Sequence, residues 1–212
     1  MDTESSASQK HSGTRERIFQ AATKLFAEQG FENTSMKQIC SLANANISAV
    51  NYHFKTKDSL YRMILQSFFD EGRQMAQNLL IPCENLEEFK IRLKIFVEEL
   101  KKKCLKDLES ILLILREVEL LRDQTKDIFQ EIMEDKKLEN FLLEAQKKGF
   151  IKAEIDVNIF ADMIMGHIFH AIRFNRFEET YSENSLFDPV YRKKWIDQVL
   201  FVFFTSVLGE PG

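Results

Sequence analysis

SMKQICSLANANISAVNYHFKTKDSLY, residues 35–61, holds two short apolar-periodic runs separated by a polar turn. Ser35 followed by Gln38 is a capping box, so a helix of about two turns starts here. Met36, Ile39, Cys40 and Ala43 lie on its inner side. Asn44 is suited to the left-handed conformation that a tight turn needs. Asn46 is a good cap for the next helix, Ile47 to His53. Thr56 caps a further helix, with Asp58 in its first turn, where the helix dipole favours an acid. Two short helices joined by a tight turn, with a longer helix on each side, make a helix-turn-helix pattern.

Upstream, Ile18, Ala21, Ala22, Leu25 and Phe26 form a helical stripe from about Thr14, and Gly30 ends it. Residues 1–12 are polar and Ser-rich and read as a disordered tail. Downstream the helices lengthen. One runs from Lys57 toward Leu80 and breaks near Pro82. Leu86, Phe89, Leu93, Phe96, Val97 and Leu100 make a second stripe. Residues 105–121 are more evenly apolar and predict a helix deep in a core. One helix is expected over 124–148, ended by Gly149, and another from Asp156 to about Phe177. After a polar loop, Asp188-Pro189 starts the last helix, with Pro at its favoured first position.

Composition agrees with an all-α fold. The 212 residues include 7 Gly and 3 Pro, too few for the many tight turns of an all-β chain. Cys40, Cys83 and Cys104 have no metal or disulfide spacing, and reduced thiols fit a cytoplasmic protein. No apolar run is long enough for a bilayer, which takes about 20 residues. The net charge of −4 is unevenly spread: positions 10–62 carry +4 and positions 63–212 carry −6. A basic front suits a polyanionic partner.

Thr34 through Tyr61, with Arg15-Glu16-Arg17-Ile18 and Leu25 through Phe31 ahead of it, resembles the DNA-binding signature of the TetR family of transcriptional regulators. The resemblance covers about residues 14–65, without gaps. Within the family it is similar to a subgroup with an NYHF recognition-helix sequence. Asn44 stands where the family has a turn glycine, and Asn51 where most members have a tyrosine that contacts phosphate. The resemblance implies a three-helix DNA-binding domain over residues 13–62 and a larger helical ligand-binding and dimerisation domain over 63–212.

It also implies that Asn46 to His53 enters the DNA major groove, which admits one α-helix. Ile47, Ser48, Ala49 and Tyr52 face outward there. Ile47 and Ala49 suit thymine methyls, and Ser48 suits a base edge or a phosphate. Val50 and Phe54 read as core, while Ile47 reads either way. Thr34, Tyr52, His53 and Lys57 are the phosphate-contact candidates, with Asn51 offering its amide. Arg15 and Arg17 either reach the DNA or are ordinary helix-surface arginines.

The rear domain is expected to pair with a second copy through the last two helices, setting the recognition helices about 34–36 Å apart on a palindromic operator. A small, largely apolar effector would release the repressor from DNA. Phe89, Phe96, Phe129, Met133, Met163 and His167 are candidate ligand contacts, although an aromatic and Met stripe at helical spacing also suits plain core. His167 and His170 are three apart, but no Cys or acidic cluster joins them, so no metal is expected. No cofactor is expected either. An enzyme is disfavoured because the chain has no HExxH, nucleophile elbow or phosphate-cradling Gly loop. The sequence does not separate a repressor from an activator of the same fold.

Overall fold

The computed structural model describes residues 3–120, 122–181 and 185–209, and the side chains of 3–12 and 176–181 are excepted. Among the described residues ten α-helices run in chain order: α1 (Thr3–Gln29), α2 (Met36–Leu42), α3 (Ile47–Phe54), α4 (Lys57–Leu79), α5 (Leu86–Lys106), α6 (Leu108–Leu120), α7 (Lys126–Glu134), α8 (Lys137–Lys147), α9 (Val157–Tyr181) and α10 (Pro189–Val207). A short 3-10 turn, Asp123–Thr125, leads into α7. Among the described residues the only strand-like pairing is a bridge between Ile151 and Leu208. The chain is all-α, as its composition predicts.

Packing divides it into two units, residues 1–70 with 108–132, and residues 71–107 with 133–212. The dividing line falls inside α4, eight residues beyond the expected boundary at 62/63, and the front unit includes a later segment. In that unit α1 packs on α2, α3 and α6. Ile18, Ala22, Phe26, Ile39, Val50, Phe54, Leu60 and Ile64 are buried at its centre. Gly30 takes φ +85, and a Cβ there would stand 3.0 Å from the Arg116 guanidinium. The turn glycine therefore provides both the left-handed conformation and room for an arginine from α6.

The segment 105–121 differs from expectation. Ile111, Leu113 and Ile114 are buried, but Val118 and Leu120 are about half exposed. On the inner face stands Glu117, whose carboxylate accepts from the Thr125 hydroxyl (3.3 Å) and lies 3.5 Å from Arg122 Nε. A buried charge needs such company. Burial, and then Glu117, push the Tyr61 phenol above its ordinary value. Arg62 pairs with Asp127 (2.9 Å) and also donates to the Gln124 carbonyl. Phe69 meets Phe129 edge-on at 5.7 Å. These contacts bind the 3-10 turn and α7 to α4.

In the rear unit α5 packs on α9 and α10, and α8 packs on α9. The α5 stripe is buried as its spacing predicts. Phe89 stacks on Phe141 at 5.4 Å, and Phe160 meets Phe203 edge-on at 5.5 Å. Lys94 pairs with Asp197 at 2.6 Å. Asp156 caps α9 through Asn158 and Ile159, and Asp188 caps α10 with Pro189 at its first position.

Two helix boundaries depart from the sequence reading. α1 begins at Thr3 and runs through the Ser-rich stretch and Gly13; the side chains of the expected tail, 1–12, lie outside the described residues. The helix expected over 124–148 is two, broken at Asp135-Lys136 with no side-chain cap. Asp135 instead pairs with Arg73 of α4 at 3.1 Å. Tertiary contact, not a breaker residue, accompanies the interruption. The polar loop expected over 178–185 is shortened, since α9 continues to Tyr181 and residues 182–184 lie outside the described residues.

Candidate nucleic-acid interface

The geometry of the interface starts from its caps. The Ser35 hydroxyl accepts from the Gln38 N–H (3.2 Å) while the Gln38 side chain accepts from the Ser35 N–H (2.8 Å), which completes the capping box of α2. Asn44 has φ 47, the left-handed turn residue the sequence predicts. The Asn46 side chain accepts from the Ala49 N–H at 2.8 Å, fixing the start of α3. The Thr56 hydroxyl accepts from the Ser59 N–H at 3.0 Å at the start of α4.

With these ends pinned, α3 has two distinct faces. Val50 and Phe54 are buried against the rest of the front unit. Asn46, Ser48 and Asn51 are exposed, Ala49 and His53 are half-buried, Ile47 is 49% exposed and Tyr52 is 77% exposed. Ile47 and Tyr52 are thus presented to solvent on the outer side of a short helix whose start is capped. Tyr52 rests edge-on against His53, ring centroids 5.0 Å apart. Ile47, which the sequence leaves open between core and surface, is on the surface.

Thr34 and Lys57 are placed differently. Thr34 is 1% exposed, and its hydroxyl donates to the Gly30 carbonyl at 2.8 Å. It closes the end of α1 and presents no side-chain surface. The Lys57 ammonium donates to the carbonyls of Phe31 (2.9 Å) and Thr34 (3.0 Å) and lies 4.1 Å from the Phe31 ring centroid. Arg17 donates to the Ala43 carbonyl at the end of α2 (3.2 Å), and Arg15 lies 5.5 Å from the Phe54 ring centroid. Both arginines are exposed and make these contacts at the surface of the front unit.

The six expected ligand contacts do not meet. Phe89 and Phe96 are buried core, Phe129 packs in the front unit, and Met133 and Met163 are exposed. His167 lines an open groove of about 370 Å³ between α9 and α10. Tyr191, Lys194, Trp195, Val202 and Phe203 share it. Beneath Trp195 the buried Lys101 ammonium lies 3.0 Å from the indole centroid. Periodicity places Trp195 on an apolar face of the last helix without saying which neighbours leave space beside it. His167 Nδ1 bonds the Met163 carbonyl at 2.8 Å, and His170 stacks on Phe174. Among the described residues no three His, Cys, Asp or Glu side chains are grouped as metal ligands would be.

Known proteins share this architecture and this stretch. Residues 18–64 match the family model described as bacterial regulatory proteins, tetR family. The HTH-type transcriptional regulator UidR of Escherichia coli (strain K12) is 36% identical over 64 residues, 30% of this chain and 32% of that protein. The HTH-type transcriptional repressor NicS of Pseudomonas putida is 29% identical over 75 residues, 35% of each chain. The matches thus span about a third of these relatives' length. In fold, the ketosteroid transcriptional regulator KstR2 of Mycobacterium tuberculosis covers 92% of this chain and 95% of its own, with TM-score 0.72 and 17% identity. Residues 18–64, which hold the helix-turn-helix, are the part of the chain that is similar in sequence to the tetR family of bacterial regulatory proteins, and over 92% of its length the chain shares the fold of one such regulator.

Proposed function

We propose that this chain is a transcriptional repressor that binds a palindromic DNA operator as a homodimer and leaves it when a small, largely apolar effector occupies the rear unit. The observation that carries the reading is α3: capped by Asn46 and exposed through Ile47, Ser48, Asn51 and Tyr52. Ile47 and Ala49 suit thymine methyls in the major groove, and Ser48 suits a base edge. Tyr52, Asn51 and His53 suit the phosphates, which supply affinity and register rather than sequence choice. The basic front supports the same partner, and NicS, similar in this region, is a named repressor.

Pairing has its own support. On α9, Ile159, Met163 and Phe174 are exposed, and on α10, Val190, Phe201 and Val202 are exposed. Large apolar side chains along two helices mark an association surface. A two-fold dimer through these helices would meet a two-fold operator. No described helix is long and apolar enough to cross a membrane, and work on the chromosome fits a cytoplasmic regulator rather than an enzyme. The aromatic-rich rear core supports an apolar effector.

The test is selection of bound duplexes from a random DNA library, followed by sequencing. We expect an enriched palindrome of two half-sites, lost in Tyr52→Ala. Failure of the folded wild-type protein to enrich any duplex would overturn the reading.

A further inference from the structure

Lys57 opens α4, yet its ammonium is turned toward the protein. It donates to the Phe31 carbonyl (2.9 Å) and the Thr34 carbonyl (3.0 Å) and stands 4.1 Å from the Phe31 ring centroid. Phe31 and Thr34 bound the loop that joins α1 to α2, and that loop is itself tied together. The Thr34 N–H donates to the Phe31 carbonyl (3.2 Å), and the Thr34 hydroxyl reaches back to Gly30 (2.8 Å). Phe31 packs on Tyr61 of α4 at 4.7 Å. Ser35, the next residue, caps α2, and α2 in turn packs on α3. A single cation therefore joins the start of α4 to the carbonyls that immediately precede the helix-turn-helix.

We infer that Lys57 is a positioning residue for DNA binding: it latches the Phe31–Thr34 loop onto α4 and so sets α2 and α3 at the angle the groove requires, and its charge is not spent on a phosphate. Two of its three N–H donors and one side of its charge are already engaged by the protein. Hydrogen bonds from a charged donor are the stronger kind, and at 2.9 and 3.0 Å both are fully formed here. The inference rests on the DNA-binding reading of α3 and adds to it a means by which that helix is held.

Salt separates the two roles. Each phosphate a protein neutralises adds about −0.9 to the slope of log K against log salt. The experiment is fluorescence anisotropy of the selected operator duplex between about 50 and 200 mM KCl, a range over which that slope is well resolved. Wild type, Lys57→Met, Lys57→Gln and Lys57→Arg are compared at a temperature where circular dichroism shows each fully folded. We expect Lys57→Met to lose about tenfold in affinity with its salt slope unchanged. Lys57→Arg should restore most of the loss, because a guanidinium can still donate to both carbonyls. Lys57→Gln, which keeps a neutral donor, should lie between and covers the case in which the Met variant folds poorly. A slope reduced by about 0.9 in Lys57→Gln or Lys57→Met would make Lys57 a phosphate contact and overturn the inference. Unchanged affinity in both would overturn it as well. Absence of binding by the wild-type protein would overturn the DNA reading itself, and it is recognised before any variant is made.

Discussion

Lys55, between α3 and α4, has φ 64 and ψ −64, and the Thr56 N–H donates back to the Phe54 carbonyl at 2.7 Å. This is a γ-turn of the rare positive-φ kind, strained for any residue with a Cβ. Strain of this type costs about 1–3 kcal/mol and persists only where the surroundings enforce it. Phe54, buried on one side, and the Thr56 cap on the other supply that enforcement. Lys55→Gly should therefore raise stability, by roughly 0.5–1.5 kcal/mol after the added freedom of the unfolded chain is subtracted. Urea unfolding reads this as a higher midpoint at constant slope; a lower midpoint would show the turn to be unstrained. Nothing in the stretch NYHFKTK marks Lys55 as the residue with positive φ, since the usual signals are Gly and Asn. The same blindness applies to Thr34 and Lys57. Their residue types suit a phosphate, and only the path of the loop turns them toward carbonyls. Cys104 lies among α5 core residues, and burial pushes its pKa up to about 12.

At the level of helices, caps were the most legible feature, because each depends on two or three neighbouring residues. Ser35 with Gln38, Asn46, Asp156 and Asp188 with Pro189 all cap the helices their positions predict. Asn46 is the one whose loss should reach function. Asn46→Ala removes the acceptor for the Ala49 N–H and should cost about 1 kcal/mol of stability. Operator affinity, measured where the variant is still folded, should also fall, because the first turn of α3 carries Ile47 and Ser48. Stability unchanged from wild type would mean that water serves the cap equally well. The break between α7 and α8 was illegible for the opposite reason. Asp135 and Lys136 sit in a sequence that could continue as helix, and the ion pair to Arg73 lies 62 residues away. Glu117 is similar: an acid in an apolar run reads as a solvated face until Thr125 and Arg122 are brought to it.

At the level of the molecule, the apolar positions on α9 and α10 divide into those facing the rear core and those facing out. Phe160, Ile164, Ile168, Ile196, Leu200 and Phe203 are buried, whereas Met163, Phe201 and Val202 are not. Periodicity shows that both helices are apolar on more than one side; it cannot assign a residue to its own core or to a second copy. Phe201→Asp tests the outward face without disturbing the core. A charge there should be buried unpaired in the dimer, a cost of several kcal/mol. If the proposed pairing holds, sedimentation should show dimers for the wild-type protein and monomers for the variant, and binding to a full palindrome should weaken with it. A variant that remains dimeric would place the pairing surface elsewhere. The expected effector contacts were the least legible part. A cavity is space that several helices leave between them, and Phe89, Phe129 and Met163 satisfy the same stripe rule while ending in three different environments.

The front unit is assembled from two stretches separated in the chain, residues 1–70 and 108–132. During synthesis, the helix-turn-helix leaves the ribosome well before its remaining partner has been translated. Until Arg116, Glu117 and Arg122 emerge, Gly30, Tyr61 and Phe31 lack the neighbours they have in the finished protein. The same order governs modular exchange. A hybrid joined just after Asp70 would carry the reading helix without the α6–α7 segment that braces it, so a working graft must transfer both stretches or rebuild the second in the recipient.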